Sequence, residues 1–211
     1  RVESETARLG SLKMAFRKPV LLWLFGLTAV MYGYSHLPFV FGQPFILQAL
    51  ENLNLAANAP LVSGTVTALM MLVSLFTSWL APSIRARLGL AGILLLAFAM
   101  QIGLVAGLAL TSSAFAIALL LLRMVPDSFS TPFIKARIQT ELPDEVRATF
   151  LSIKSLAARI LFAGSLYLAS GAASDVGEMS HGQISLILSG YAFAGLLAFA
   201  VLALTARGRK I

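Results

Sequence analysis

The chain contains no cysteine and only two histidines in 211 residues. The first absence excludes structural disulfides, thiolate metal ligands and a thiol nucleophile, and leaves the redox compartment undetermined. The second argues against a metal centre, and no cofactor is expected. Charge is scarce too, with Asp, Glu, Lys and Arg making up 12% of the residues, roughly half their share in a soluble globular domain. Apolar residues stand in their place at 58%, and the mean hydropathy is +0.87. A soluble domain of ~150 residues still leaves about a third of its unfolded-chain surface in water. A chain this apolar therefore has lipid as its main solvent. The net charge of +7 would suit nucleic acid, but the basic residues cluster in short connections between apolar runs, which is the pattern of membrane orientation. No nucleic-acid partner is expected.

Six apolar runs, at about 19–41, 61–80, 90–110, 114–133, 148–172 and 184–204, each reach roughly the 20 residues that cross a ~30 Å hydrocarbon layer as a helix. The expected fold is an all-α integral membrane bundle over 19–205. A cytoplasmic linker or a short helix lying on the membrane surface precedes it at 1–18, and a cytoplasmic tail follows at 206–211. The first run is too long for a cleaved signal sequence. Because the chain begins on Arg1 rather than methionine, it is expected to continue a longer gene product.

Orientation follows from the basic residues. Arg1, Arg8, Lys13, Arg17 and Lys18 precede the first run; Arg85 and Arg87 join the second to the third; Lys135, Arg137 and Arg147 join the fourth to the fifth; Arg207, Arg209 and Lys210 end the chain. The alternate connections at 42–60, 111–113 and 173–183 hold no Lys or Arg. That asymmetry places both termini in the cytoplasm, with a bacterial inner membrane as the expected location.

The sequence also repeats itself. Pro38-Phe39-Val40-Phe41-Gly42-Gln43-Pro44-Phe45-Ile46 returns 88 residues later as Pro126-Asp127-Ser128-Phe129-Ser130-Thr131-Pro132-Phe133-Ile134. At the same offset Trp79-Leu80-Ala81 falls on Tyr167-Leu168-Ala169, and Gly89 on Gly177. Each copy, about 19–110 and 111–205, holds three helices, and an odd number makes the second enter the membrane from the opposite side. Three-plus-three inverted repeats of this kind build six-helix halves of transporters.

Leu142-Pro143-Asp144-Glu145-Val146-Arg147-Ala148-Thr149-Phe150-Leu151-Ser152 resembles the cytoplasmic connection before the eleventh helix of major facilitator superfamily transporters. Ser174-Asp175-Val176-Gly177 is similar to the Asp-x-x-Gly ending of that helix. With the repeat, the resemblance runs from about Arg17 to Arg209. It implies a major facilitator type half-bundle, the C-terminal one, whose partner is an N-terminal six-helix half in the same chain or a separate subunit. Substrate would bind between the halves near the midplane and cross by alternating access. At Ala81-Pro82-Ser83-Ile84-Arg85-Ala86-Arg87-Leu88-Gly89 such proteins often carry an Asp-Arg-x-Gly-Arg gating motif. This sequence lacks the acidic residue, so Arg85 and Arg87 are either gating or orienting charges.

An ionisable side chain at the bilayer centre costs at least ~2.5–3.5 kcal/mol, so each calls for a partner or a purpose. Arg123 lies near the middle of the fourth run. Asp127 is four residues on, one turn nearer the cytoplasm, with Pro126 between them loosening the backbone. Either the two form a substrate or proton pathway, or they neutralise each other as an intrahelical pair. An arginine suits an anionic substrate and a lone carboxylate suits proton coupling. His36, with Tyr32, Tyr34, Ser35 and Pro38, is either a proton-sensing cavity group or a hydrogen-bonded packing histidine. Arg147 and Arg159 are expected to be gating or structural. Gln43, Gln48 and Glu51 are placed in an interfacial segment after a break at Pro38, and Gln101 in an interhelical hydrogen bond. Gly103, Gly107, Gly164 and Gly195 are read as close helix packing.

No P-loop, nucleophile elbow, HExxH or catalytic carboxylate pair is present, so no enzyme is expected. The function expected is secondary active transport of a small solute across the bilayer, proton-coupled, with a lean toward an efflux permease. The alternative is a six-helix subunit that transports nothing and scaffolds a larger complex.

Overall fold

The computed structural model describes residues 2–51, 56–111, 115–171 and 181–208. Among them every regular element is helical: α1 (Val2–Arg17), α2 (Pro19–Glu51), a 3-10 turn (Ala56–Asn58), α3 (Ala59–Leu110), α4 (Phe115–Leu121), α5 (Val125–Glu141), α6 (Asp144–Ser170) and α7 (His181–Gly208). Five segments are long and apolar enough to cross a membrane: Pro19–Phe41, Ala59–Leu110, Phe115–Glu141, Asp144–Ser170 and Gly182–Gly208. The second has 52 residues, about twice what a span requires. It is interrupted at Gly89, where φ is 72° and ψ is −179°, a conformation that is essentially glycine-only. The two limbs, 59–88 and 90–110, bring the number of apolar limbs to the six that hydropathy predicts.

One alternative of the sequence expectation is resolved and two local details differ from it. Residues 2–17 form the helix rather than the linker, and Phe16 packs that helix onto Phe25 and Phe150 at ring distances of 5.5 and 5.2 Å. The helix expected to break at Pro38 continues to Glu51. Each proline in it removes one backbone donor, and the neighbours that bury Leu37, Phe41 and Leu50 hold the rest of the helix in place. Conversely, the fourth run is not continuous. It is split at 122–124 into α4 and α5, with Pro126 in the first turn of α5, where a missing N–H is harmless. The segment 172–180, which carries the Asp-x-x-Gly ending, lies outside the described residues.

α3 is the hub of the bundle: its limbs pack against α2, α4, α5 and α7, while α6 packs on α2 and α1. α5 touches α2 and α6 only slightly, which leaves a gap between them. Leu21, Leu24, Leu27, Phe98, Leu108, Phe150 and Leu188 fill the centre. Polar ties cross between helices at Trp23 Nε1 to the Leu202 carbonyl (3.0 Å), Tyr34 Oη to the Tyr191 carbonyl (2.5 Å) and Ser185 Oγ to the Ala109 carbonyl (2.5 Å). The outside is as apolar as the core. Trp79, Tyr167 and Leu168 are 82%, 79% and 77% exposed, and similar side chains cover the first limb of α3, α6 and α7. Soluble monomers rarely show apolar surface on that scale. The architecture is compatible with an integral membrane protein.

Candidate functional site

The fourth run tightens into a turn where its charges sit. At the α4–α5 junction the backbone N–H groups of Leu122, Arg123 and Val125 bond to carbonyls three residues back, at 3.0–3.1 Å. The regular helix resumes when Ser128 N–H reaches the Met124 carbonyl. Arg123 is in the turn and Asp127 is in the first turn of α5, where the helix dipole favours a negative charge. The Arg123 guanidinium lies over the Phe39 ring, 5.2 Å from its centre, and no ion pair within 4 Å joins it to Asp127 among the described residues.

Asp127 is held instead by a neighbouring helix. Gln101, in the second limb of α3 and only 3% exposed, donates from Nε2 to Asp127 Oδ1 at 3.4 Å. Its Oε1 is buried with no hydrogen-bond partner. Arg123 and, when it is protonated, His36 act on the Asp127 carboxylate. One residue further on, Ser128 Oγ meets Ser74 Oγ at 2.6 Å and ties α5 to the first limb of α3.

The gap between α2, α5 and α6 is an open cleft of about 250 Å³. α5 turns one stripe toward it at helical spacing, Asp127, Ser130, Thr131, Ile134 and Lys135, and α2 contributes Thr28, Met31, Tyr32 and Ser35. Lys154 reaches it from α6. Ser130, Ser35 and Thr28 give their protons to the carbonyls of Pro126, Tyr32 and Leu24, so their oxygens remain as acceptors.

The sequence candidates separate clearly. Asp127 and Tyr32 line the cleft. His36 adjoins it: its ring lies 4.1 Å from that of Tyr32 and 5.7 Å from that of Phe162, and its Nδ1 is 2.8 Å from the Tyr32 carbonyl. That bond points Nδ1–H at the carbonyl and leaves Nε2 available in the neutral ring. Tyr34 faces the other way, buried against Phe98 and α7. Arg85 lies over Phe133 at 4.9 Å, and Arg87 and Arg159 are exposed. Arg147 closes the end of α5, donating to the Gln139 and Leu142 carbonyls at 3.1 Å and pairing with Asp144 at 2.6 Å.

No protein-family model, curated protein or solved structure matches this chain. The site therefore stands on its own geometry. Two of its charged members escape the sequence reading, Lys135 because loop counting treats it only as an orienting charge, and Lys154 because no charged neighbour marks it. The signals are present: Lys135 is eight residues from Asp127 and so on the same face of a helix, and Lys154 lies well inside an apolar run.

Proposed function

We propose that this chain is a six-helix half of a membrane transporter of major facilitator type, moving a small solute by alternating access with proton coupling. The observation that carries the reading is the polar cleft beside a broken helix. In transporters, discontinuous helices and irregular backbone at membrane depth are tolerated where they line a substrate or ion pathway. Asp127 is the proton-carrying group in this reading. It lies at the break, faces the cleft and has no bonded counter-ion among the described residues, and the adjacent His36 provides a second titratable group.

Several features support the same reading. The loop charges alternate by side, and the proline motif recurs at the first and fourth limbs. Some repeat-related positions also share their environments: Pro38 and Pro126 are both buried, as are Phe41 and Phe129, and Trp79 and Tyr167 both point outward, whereas Val40 is exposed and Ser128 buried. On the cytoplasmic side of the proposed topology, Lys18 and Arg137 both pair with Glu141, at 3.1 and 3.0 Å, beside the Arg147–Asp144 pair. This set of charges ties α5 to the start of α2.

The test is solute-dependent collapse of a pH gradient in vesicles carrying the full natural chain, measured across a panel of small solutes. An active solute should lose its effect on the gradient in Asp127→Asn at equal protein level. Undiminished coupled movement in that variant would remove Asp127 as the carrier.

A further inference from the structure

We propose that the cleft between α2, α5 and α6 holds a small anionic ligand, its carboxylate or phosphate group seated between Lys135 and Lys154. This deepens the transporter reading, on which it rests for the cleft's role as a solute site.

The cleft carries an imbalance of charge. Lys135 on α5 and Lys154 on α6 line the same cleft, and neither has an acidic partner within 4 Å among the described residues. Several other cations are engaged, and those such as Arg87 and Arg159 that are not are exposed and away from the cleft lining: Lys18 and Arg137 bind Glu141, Arg147 binds Asp144, and Arg85 and Arg123 lie over aromatic rings. The one carboxylate among the cleft's described residues, Asp127, is engaged by Gln101 and comes within 4 Å of neither lysine. Lys135 is the charge that acts on Lys154. Two ammonium groups facing one cleft, with apolar walls nearby and the Asp127 carboxylate more than 4 Å from both, repel each other, and that repulsion becomes attraction when an anion enters.

The remaining donors agree. Thr131 lies one turn before Lys135 on the same face of α5, lines the cleft, and makes no hydrogen bond among the described residues. Its hydroxyl proton is available to a ligand oxygen, unlike those of Ser130, Ser35 and Thr28. Two compact ammonium groups and a hydroxyl suit a carboxylate or phosphate, whose oxygens accept from several directions. The volume of about 250 Å³ falls just under the ~300–1,000 Å³ range of drug-sized ligand pockets. That favours a small metabolite-sized anion over a bulky amphiphile.

The full natural chain, purified in non-ionic detergent, would be titrated at fixed ionic strength with succinate, with inorganic phosphate and with a short-chain phosphatidic acid. Binding would be read from the shift in thermal unfolding, with chloride as the control. At least one of the three should stabilise the protein. Lys135→Gln and Lys154→Gln should each weaken that binding about tenfold, while Lys135→Arg and Lys154→Arg keep it within about threefold. The arginine variants guard against a glutamine variant that fails to fold. A response to succinate or phosphate assigns the clamp to a soluble solute, and a response to phosphatidic acid alone assigns it to a lipid headgroup. No stabilisation beyond chloride by any of the three, or equal stabilisation in the glutamine variants, overturns the proposal. Because the readout is binding, it is separable from transport. Lysine-dependent binding without any flux keeps the clamp and discards the transporter, and flux without such binding does the reverse.

Discussion

Gln101 donates to Asp127 across the α3–α5 interface while its own carbonyl oxygen, buried beside the same group, has no partner. An amide can meet either state of a carboxyl group. Its N–H₂ donates to the charged form, and after a flip its oxygen accepts from the protonated form. An arrangement with one satisfied and one waiting atom fits a carboxyl group that changes protonation during a cycle. Replacing Gln101 with leucine removes a long hydrogen bond and an orphaned acceptor together. Since the orphan costs about 1–3 kcal/mol and the bond contributes about 1 kcal/mol, the unfolding temperature should stay level or rise slightly. If the chain transports as proposed, proton-coupled flux should fall by about tenfold, the effect of roughly one hydrogen bond. A marked loss of stability in this variant would show that Gln101 serves packing and not the carboxyl group.

The break at Gly89 makes a second, structural prediction. Its φ of 72° with ψ of −179° lies in a region that costs a residue with a side chain about 1–3 kcal/mol. No atom lies within 4 Å of an added Cβ, so the cost is one of conformation alone. Gly89→Ala should lower stability by that amount, measured by unfolding of the detergent-solubilised protein. Ala86→Gly, in the adjoining helix, should cost only about 1 kcal/mol. Equal stability of Gly89→Ala and the parent would mean that the limbs of α3 are not joined through this conformation.

Much of this architecture is legible in the sequence because helices long and apolar enough to cross a membrane leave a plain mark: apolar runs of one length with charges between them. Run length gives the six limbs, and the glycine at the second connection marks where the 52-residue element divides. Proline is the less reliable signal. Pro38 leaves α2 intact because packing on both sides holds it, whereas Pro126 coincides with a real break because it occupies the first turn of a new helix. The cleft is only half legible. Asp127 stands out as a charge in an apolar run, but which charges share a space depends on helix packing. α5 and α6 make few contacts beyond their connection, so Lys135 and Lys154 line one cleft. Arg159, the more conspicuous charge in α6, is on an exposed face.

Glycines that look alike in sequence also separate in space. An added Cβ at Gly195 would meet Tyr34 Oη at 2.8 Å and Ile102 Cγ1 at 2.9 Å, and one at Gly107 would meet Leu119 Cδ1 at 2.8 Å, whereas Gly103 and Gly164 have nothing within 4 Å. Gly195→Ala should therefore destabilise by about 1–3 kcal/mol through overpacking. Gly103→Ala should be neutral or slightly stabilising, as alanine is the better helix former by about 1 kcal/mol. Thermal unfolding of the two variants side by side reads the contrast, and equal effects would remove the close α2–α7 approach from the fold.

Arg147 decides between a moving gate and a fixed clasp. One nitrogen, Nη2, serves the Gln139 and Leu142 carbonyls at the end of α5 as well as Asp144. The two carbonyls are among those a helix end leaves without intrahelical donors, and a cation there is favoured by the dipole. Because Asp144 is itself largely exposed, at 87% of its side chain, the ion pair adds little, about 0–1 kcal/mol. The two carbonyl bonds carry the larger share. Arg147→Ala should accordingly cost about 1–2 kcal/mol, and Asp144→Asn well under half of that. Arg147→Lys should recover only part of the loss, since an ammonium does not reproduce the spread of guanidinium donors. These three unfolding measurements separate the roles: if Asp144→Asn costs as much as Arg147→Ala, the ion pair and not the helix-end bonding holds the connection. A loss of flux in Asp144→Asn at unchanged stability would instead assign the pair to gating.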